Sequence, residues 1–225
     1  MNKVHLNKTE VIKSLAGHMA SLGWRGVGEN EYVRKSASPK AVAVHMLYLA
    51  VTDLGGSVKV ALGVNLRISP VEEVFHKISK VPPEFHGQTY TIGKTLFPKR
   101  RFLREESLEV EGKEGIEAAL PFIEKATQDS FFSEYATLDM VGTALNASPK
   151  AACPVQPNEW HRSARGVIIA AMLGDAGYDQ LCQTYLNKMK SLDRGFYVPF
   201  LSALIEYTKA NVVGRTDWQR DLTQE

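Results

Sequence analysis

Five segments of this chain hold residue types that could do chemistry. Gly87-Gln88-Thr89-Tyr90-Thr91-Ile92-Gly93-Lys94-Thr95 has the ingredients of a phosphate-binding loop, whose backbone amides cradle phosphate at a helix N-terminus. Five residues separate its glycines where that loop requires four, and Pro98 follows where a helix should begin, so the segment reads as a strand. Glu73 and His76 stand three apart, the spacing at which a carboxylate and an imidazole on one helical face share a metal. No second Glu-x-x-His occurs, so the pair reads as a solvated face and no metal is expected. Cys153 and His161 flank a proline-rich stretch and could be imagined as a thiol nucleophile with its base. Pro154 follows the cysteine directly and no oxyanion-type glycine turn surrounds it, so Cys153 and Cys182 both read as buried thiols.

The fourth segment is basic and aromatic. Lys94, Lys99, Arg100, Arg101 and Arg104 are interleaved with Phe97 and Phe102, and six glutamates follow between Glu105 and Glu117. Alternating cations and aromatics serve single-stranded nucleic acids, but opposite charge blocks this close also pair across a hairpin, and arginine with aromatics is the usual make-up of protein interface cores. The partner-binding expectation therefore falls on Lys99, Arg100, Arg101, Phe102 and Arg104, together with Trp160. Trp160 belongs to the fifth segment, Trp160-His161-Arg162 with Arg165, at the start of a helix. A tryptophan there can also serve as a packing staple.

The elements that must position these residues follow from periodicity. Asn7 with Glu10 resembles a capping box, and Val11, Ile12, Leu15, Met19 and Leu22 keep helical spacing until Gly23. Short and long strands are expected about Tyr32 to Lys35 and Ala41 to Val51, the second apolar on both faces, with Gly55-Gly56 as a hairpin turn. Val58, Val60, Leu62, Val64, Leu66 and Ile68 then occupy every second position, the pattern of a half-buried strand in which a one-residue slip would expose all six. Ser69-Pro70-Val71-Glu72 spells an N-cap, a first-turn proline and a capping-box glutamate. Val74, Phe75 and Ile78 should be the buried stripe of that helix, which Pro82-Pro83 ends. Two further strands are expected at Gln88 to Leu96 and Ser107 to Glu111.

From Gly112 the period becomes 3.6, through Ile116, Ala119, Leu120 and Ile123, with Pro121 where a helix begins or kinks, and on to Phe131, Phe132 and Tyr135. Ala147 to Pro157 is a connector, after which Asn158 caps a helix carrying Val167, Ile168, Ala171 and Met172. Gly174 and Gly177 turn the chain into a helix with Tyr178, Leu181, Cys182, Tyr185 and Met189, and Phe196 to Ile205 form a last one. The fold class is α+β, a mixed or antiparallel sheet with flanking helices over residues 1–111, followed by a C-terminal helical bundle over 112–225 that could form one continuous domain with it.

Bulk composition narrows function less than fold. The 225 residues are 44% apolar and 23% charged, ordinary for a globular protein, and 27 basic against 25 acidic side chains leave a net charge of +2. No global field draws such a chain to nucleic acid or an anionic membrane. Two cysteines and an N-terminus without a signal-length apolar run point to a soluble, cytoplasmic protein.

The helix ending at Gly23-Trp24, the strand with Tyr32 and Arg34, Leu62-Gly63-Val64 and the Leu120-Pro121-Phe122-Ile123-Glu124 helix opening together resemble a family of small bacterial domains of unknown function, many regarded as immunity proteins. The likeness covers about the first 140 residues, and no functional residue is carried over from it. It implies an α+β fold and a protein that binds and neutralises a toxin or effector by direct contact, without cofactor or catalytic residues. A second likeness, Leu173-Gly174 with Tyr178 and Tyr185, resembles one hairpin of a tetratricopeptide array, and without a second copy it reads as bundle packing. The alternative from another class is a small hydrolase or nucleotide-modifying enzyme using His45, Glu73, His76 or His161 between sheet and helices.

Overall fold

The computed structural model describes residues 8–35, 43–54, 57–96, 108–110 and 112–215. It is an α+β protein whose antiparallel sheet has the order β1 (Arg25–Gly26), β2 (Glu31–Lys35), β3 (Val44–Asp53), β4 (Val58–Arg67), β5 (Ile92–Thr95), with β6 (Leu108–Val110) also pairing β4. The described α-helices are α1 (Lys8–Ser21), α2 (Ser69–His76), α3 (Gly112–Thr127), α4 (Phe131–Glu134), α5 (Leu138–Asn146), α6 (Glu159–Leu173), α7 (Tyr178–Ser191) and α8 (Val198–Asn211), with 3-10 turns at Pro83–Gln88 and Asp193–Gly195. The described residues divide into two compact units. One holds α1, the strands up to Leu66 and residues 93–133; the other holds residues 67–92 and those from 134 onward. The Gly55-Gly56 turn, Lys99, Arg100, Arg101, Phe102 and Arg104 lie outside the described residues.

The alternation of β4 is realised in full. Val58, Val60, Leu62, Val64, Leu66 and the following Ile68 are each at most 1% exposed, while Lys59, Ala61, Gly63, Asn65 and Arg67 are half-buried. Burying a branched aliphatic is worth roughly 1.5 to 3 kcal/mol before entropy, so this strand pins the register of its neighbours. Gly23 ends α1 in the left-handed region at φ 78°, as its position after the apolar stripe implies. Pro121 sits inside α3 without ending it. The carbonyl it leaves without a donor is that of Glu117, and both residues are exposed, so water can satisfy it.

In the second unit α6 is the central helix, packed by α2, α5, α7 and α8, and every residue from Arg162 to Met172 is buried. Asn158 Oδ1 accepts from the His161 amide at 2.9 Å, the cap read from sequence, and Gly174 closes the helix at φ 63°. The proline-rich stretch is preceded by a helix the periodicity reading did not resolve, α5, whose Thr137 cap and buried Leu138, Val141 and Leu145 are its sequence signal. Three readings of α2 need correction. Its N-cap is Ile68 rather than Ser69, with no side-chain cap hydrogen bond. Its buried residues are Val71, Glu72 and Phe75 rather than Val74, Phe75 and Ile78, and Glu72 closes no capping box, because its carboxylate is held elsewhere.

Gly166 is the closest approach in this unit. A Cβ there would collide with Asn146 Oδ1 and stand 3.1 Å from the Tyr185 ring, while the Asn146 amide donates to the Gly166 carbonyl at 3.0 Å. Gly166→Ala should lower unfolding stability by about 1 to 3 kcal/mol, seen as a shifted urea midpoint with an unchanged slope.

Candidate functional site

The second unit gathers its polar chemistry on two buried arginines of α6, three residues apart and each 1% exposed. Arg162 serves structure: Nε and Nη2 donate to the Leu145 carbonyl at 2.9 and 2.8 Å, Nη2 also to Ser148 at 2.8 Å, and Nη1 to Ala151. It thereby ties the last turn of α5, through Leu145, to the connector that follows, through Ser148 and Ala151. Tyr185 supports the same segment, its hydroxyl meeting the Leu145 carbonyl at 3.0 Å.

Arg165 faces α2. Its Nε donates to Glu72 Oε1 at 2.8 Å and its Nη2 to Oε2 at 2.7 Å, a bidentate pair, and its guanidinium lies 4.1 Å over the Phe75 ring. Thr91 adds a third donor to Glu72 at 2.8 Å and accepts from the Ile68 amide at 3.0 Å, while Gln156 donates to the Thr91 carbonyl at 3.1 Å. Burial pushes the Glu72 carboxyl upward, but the Arg165 charge, the hydrogen bonds from Arg165 and Thr91, and Arg67 more than offset it and hold it below the usual range.

Beside this pair three imidazoles collect. His76 stacks on His86 with ring centroids 3.7 Å apart, and its Nε2 lies 2.9 Å from Thr89 Oγ1. His86 donates through Nε2 to the Val81 carbonyl at 2.8 Å, and Arg67 binds the His86 and Thr89 carbonyls and the Thr89 hydroxyl. His161 stands edge-on to Phe75 at 5.6 Å. Burial is the main cause that pushes both His76 and His161 down to about 4; the Arg165 charge adds to it at each and Glu72 opposes it. Both rings are therefore neutral at pH 7.

An aromatic surface adjoins the network through Trp160, whose ring is 6.1 Å from Phe75. Trp160 stacks on Tyr197 at 5.4 Å and tilts against Phe200 at 6.2 Å, Phe196 packs on both Tyr197 and Phe200, and Lys80 Nζ lies 5.1 Å over Phe200. Phe196 is 62% exposed.

The sequence candidates thus scatter. Trp160 and His161 reach this region, and Glu73 is exposed on α2. Cys153 gives its thiol to the Ala144 carbonyl at 3.6 Å rather than to His161, and both cysteines are free and buried. The glycine-spaced segment is strand at Ile92–Thr95, and Lys94 pairs with Asp129 at 2.8 Å. His45, in the first unit, stacks on Phe132 at 4.3 Å and is pushed down to about 4 by burial and then by Arg34. Arg67, Glu72, His86, Thr89, Thr91 and Arg165 were not picked out as a network, because no sequence spacing links them. Among the described residues no group of three or more His, Cys, Asp or Glu could hold a metal ion, and no helix is long and apolar enough to cross a membrane. No family model matches the chain, and no curated protein and no solved structure is similar to it.

Removing one member of the buried pair leaves the other charge uncompensated. Glu72→Met or Arg165→Met should each cost about 3 to 5 kcal/mol in denaturant unfolding, and the double substitution should recover most of that loss. Histidines depressed to about 4 from an unfolded 6.5 contribute stability above 6.5 that is lost as pH falls through that window. The melting temperature should fall between pH 6.5 and 4, and more gently in His76→Gln and His161→Gln.

Proposed function

We propose that this chain is a non-catalytic protein-binding protein whose contact surface includes the aromatic cluster of Trp160, Phe196, Tyr197 and Phe200. The observation that carries the reading is Phe196, a large apolar side chain left 62% exposed at the outer side of the aromatic group, packed edge-on against Tyr197 and tilted against Phe200, whose ring Lys80 covers. Aromatic anchors with a cation alongside are the residues that dominate binding energy at protein interfaces, whereas a folded chain gains nothing from holding them in water. The neighbouring polar groups support contact rather than turnover. The Glu72 carboxylate already accepts from three donors, and an imidazole held near 4 is a weak base at neutral pH. The specific form of the proposal is immunity-like: the partner is a bacterial toxin or effector neutralised by direct contact, as the resemblance of the first 140 residues implies.

Once a partner has been isolated by co-purification from the native host, Phe196→Ala should weaken its complex by about 30-fold, near 2 kcal/mol, with an unchanged melting temperature. Calorimetric titration showing wild-type affinity for Phe196→Ala would remove this surface from the interface. Growth protection of cells producing the partner distinguishes the immunity role from binding alone.

A further inference from the structure

The Arg165 guanidinium has two hydrogen-bonding edges, and only one is used. Nε and Nη2 face Glu72, so in a planar fork Nη1 and the outer Nη2 hydrogen are directed away from it. Arg165 is 1% exposed, and its Nη1 is buried with no hydrogen-bond partner. Folded proteins rarely leave a buried donor of a charged group unmet.

The place this edge reaches is set by the helix. His161 is the residue four before Arg165 on the same face of α6, on the side toward which helical side chains lean, and the Arg165 charge acts on its ring. That end of α6 is also the open one, since Glu159, Trp160 and His161 are only half-buried while Arg162 to Met172 are buried. Both side chains lie against one Phe75 ring, the guanidinium over its face and the imidazole at its edge. Among the described residues the His161 ring makes no hydrogen bond.

We infer that the unused edge of Arg165 and the His161 imidazole together bind a carboxylate. A carboxylate matches the planar fork, and the second nitrogen donor comes from the neighbouring ring. Glu72 already balances Arg165, so the arriving charge needs a further cation. The groups that face His161 are Arg165 on α6 and Glu72 on α2, with His76 against the same Phe75 ring. Burial, and after it the Arg165 charge, keep His161 unprotonated, at about 4. A carboxylate beside the ring reverses that balance, and the anion enters with a proton on His161.

The carboxylate has two sources, a free small acid or the Asp or Glu side chain of a protein. In the second case the site lies beside the aromatic surface of the proposed function and rests on that reading; in the first it stands alone. The test follows the His161 ring resonances of the isotope-labelled full chain across pH with sodium acetate, with N-acetylglutamate methylamide, and with sodium chloride at equal ionic strength. The expected result is a saturable rise in the His161 pKa with either carboxylate and none with chloride. Where the added acid is ionised, apparent affinity should fall by up to about tenfold per pH unit between the free and the carboxylate-bound His161 pKa, and level off above the latter. Acetate binding assigns a free acid, and binding of the blocked glutamate alone assigns a protein side chain. His161→Gln should flatten the pH dependence, and Arg165→Lys, which keeps the charge opposite Glu72 but has no second edge, should lose binding. Identical His161 titrations of the wild-type chain in carboxylate and in chloride overturn the inference, whatever becomes of the variants.

Discussion

The second unit depends on one interaction, the bidentate pair between Glu72 on α2 and Arg165 on α6. Each charge is buried to within 2% of completely, and neither would be tolerated without the other. The pair fixes which face of α2 turns inward, and that choice carries Phe75 beneath the guanidinium and brings His76 and His161 against the same ring. Thr91 and Gln156 complete the carboxylate's surroundings, so the strand end at Ile68 and the connector before α6 are tied to the same point. A buried ion pair adds little net stability over a well-packed apolar substitute; what it supplies is a unique arrangement, because slipping α2 by one residue would strand a charge.

A division of labour on α6 follows from that constraint. Arg162 is spent on the carbonyls of the segment from Leu145 to Ala151 and leaves no chemistry over. Arg165 holds α2 with one edge and has another unspent. At the N-terminal end of the helix Trp160 passes from this polar interior to the aromatic group of Tyr197, Phe196 and Phe200. His76 and His161 between them are neutral at pH 7, so they add rings and hydrogen-bonding nitrogens to the region without adding charge. Such a surface suits the proposed contact, in which shape and a few placed donors would do the recognising.

Much of the fold was legible because it is local. The strict alternation of β4, the Gly23 stop of α1, the Asn158 cap of α6 and the apolar stripe of α7 are short-range signals that tertiary contacts reinforce. Glu72 shows where such reading ends. Ser-Pro-Val-Glu is the local signature of a capping box, but the arginine that takes its carboxylate lies 93 residues further along the chain, a partnership no spacing rule can express. The stripe of α2 was displaced for the same reason, since a buried glutamate is counted as polar by any periodicity. Trp160 was found as a residue but not as a surface, because the rings that join it come from the start of α8, nearly forty positions later. Lys99, Arg100, Arg101, Phe102 and Arg104 were the other half of the interface expectation, and they lie outside the described residues.

The claim on which the rest hangs is that α2 and α6 are one cooperative element joined through Glu72 and Arg165. Native-state amide hydrogen exchange measures this directly. The account predicts that amides of Val71 to His76 and of Arg165 to Met172 exchange through openings of the same free energy, and that a pH low enough to protonate Glu72 lowers both together. Fast exchange along α2 while α6 stays fully protected would contradict it.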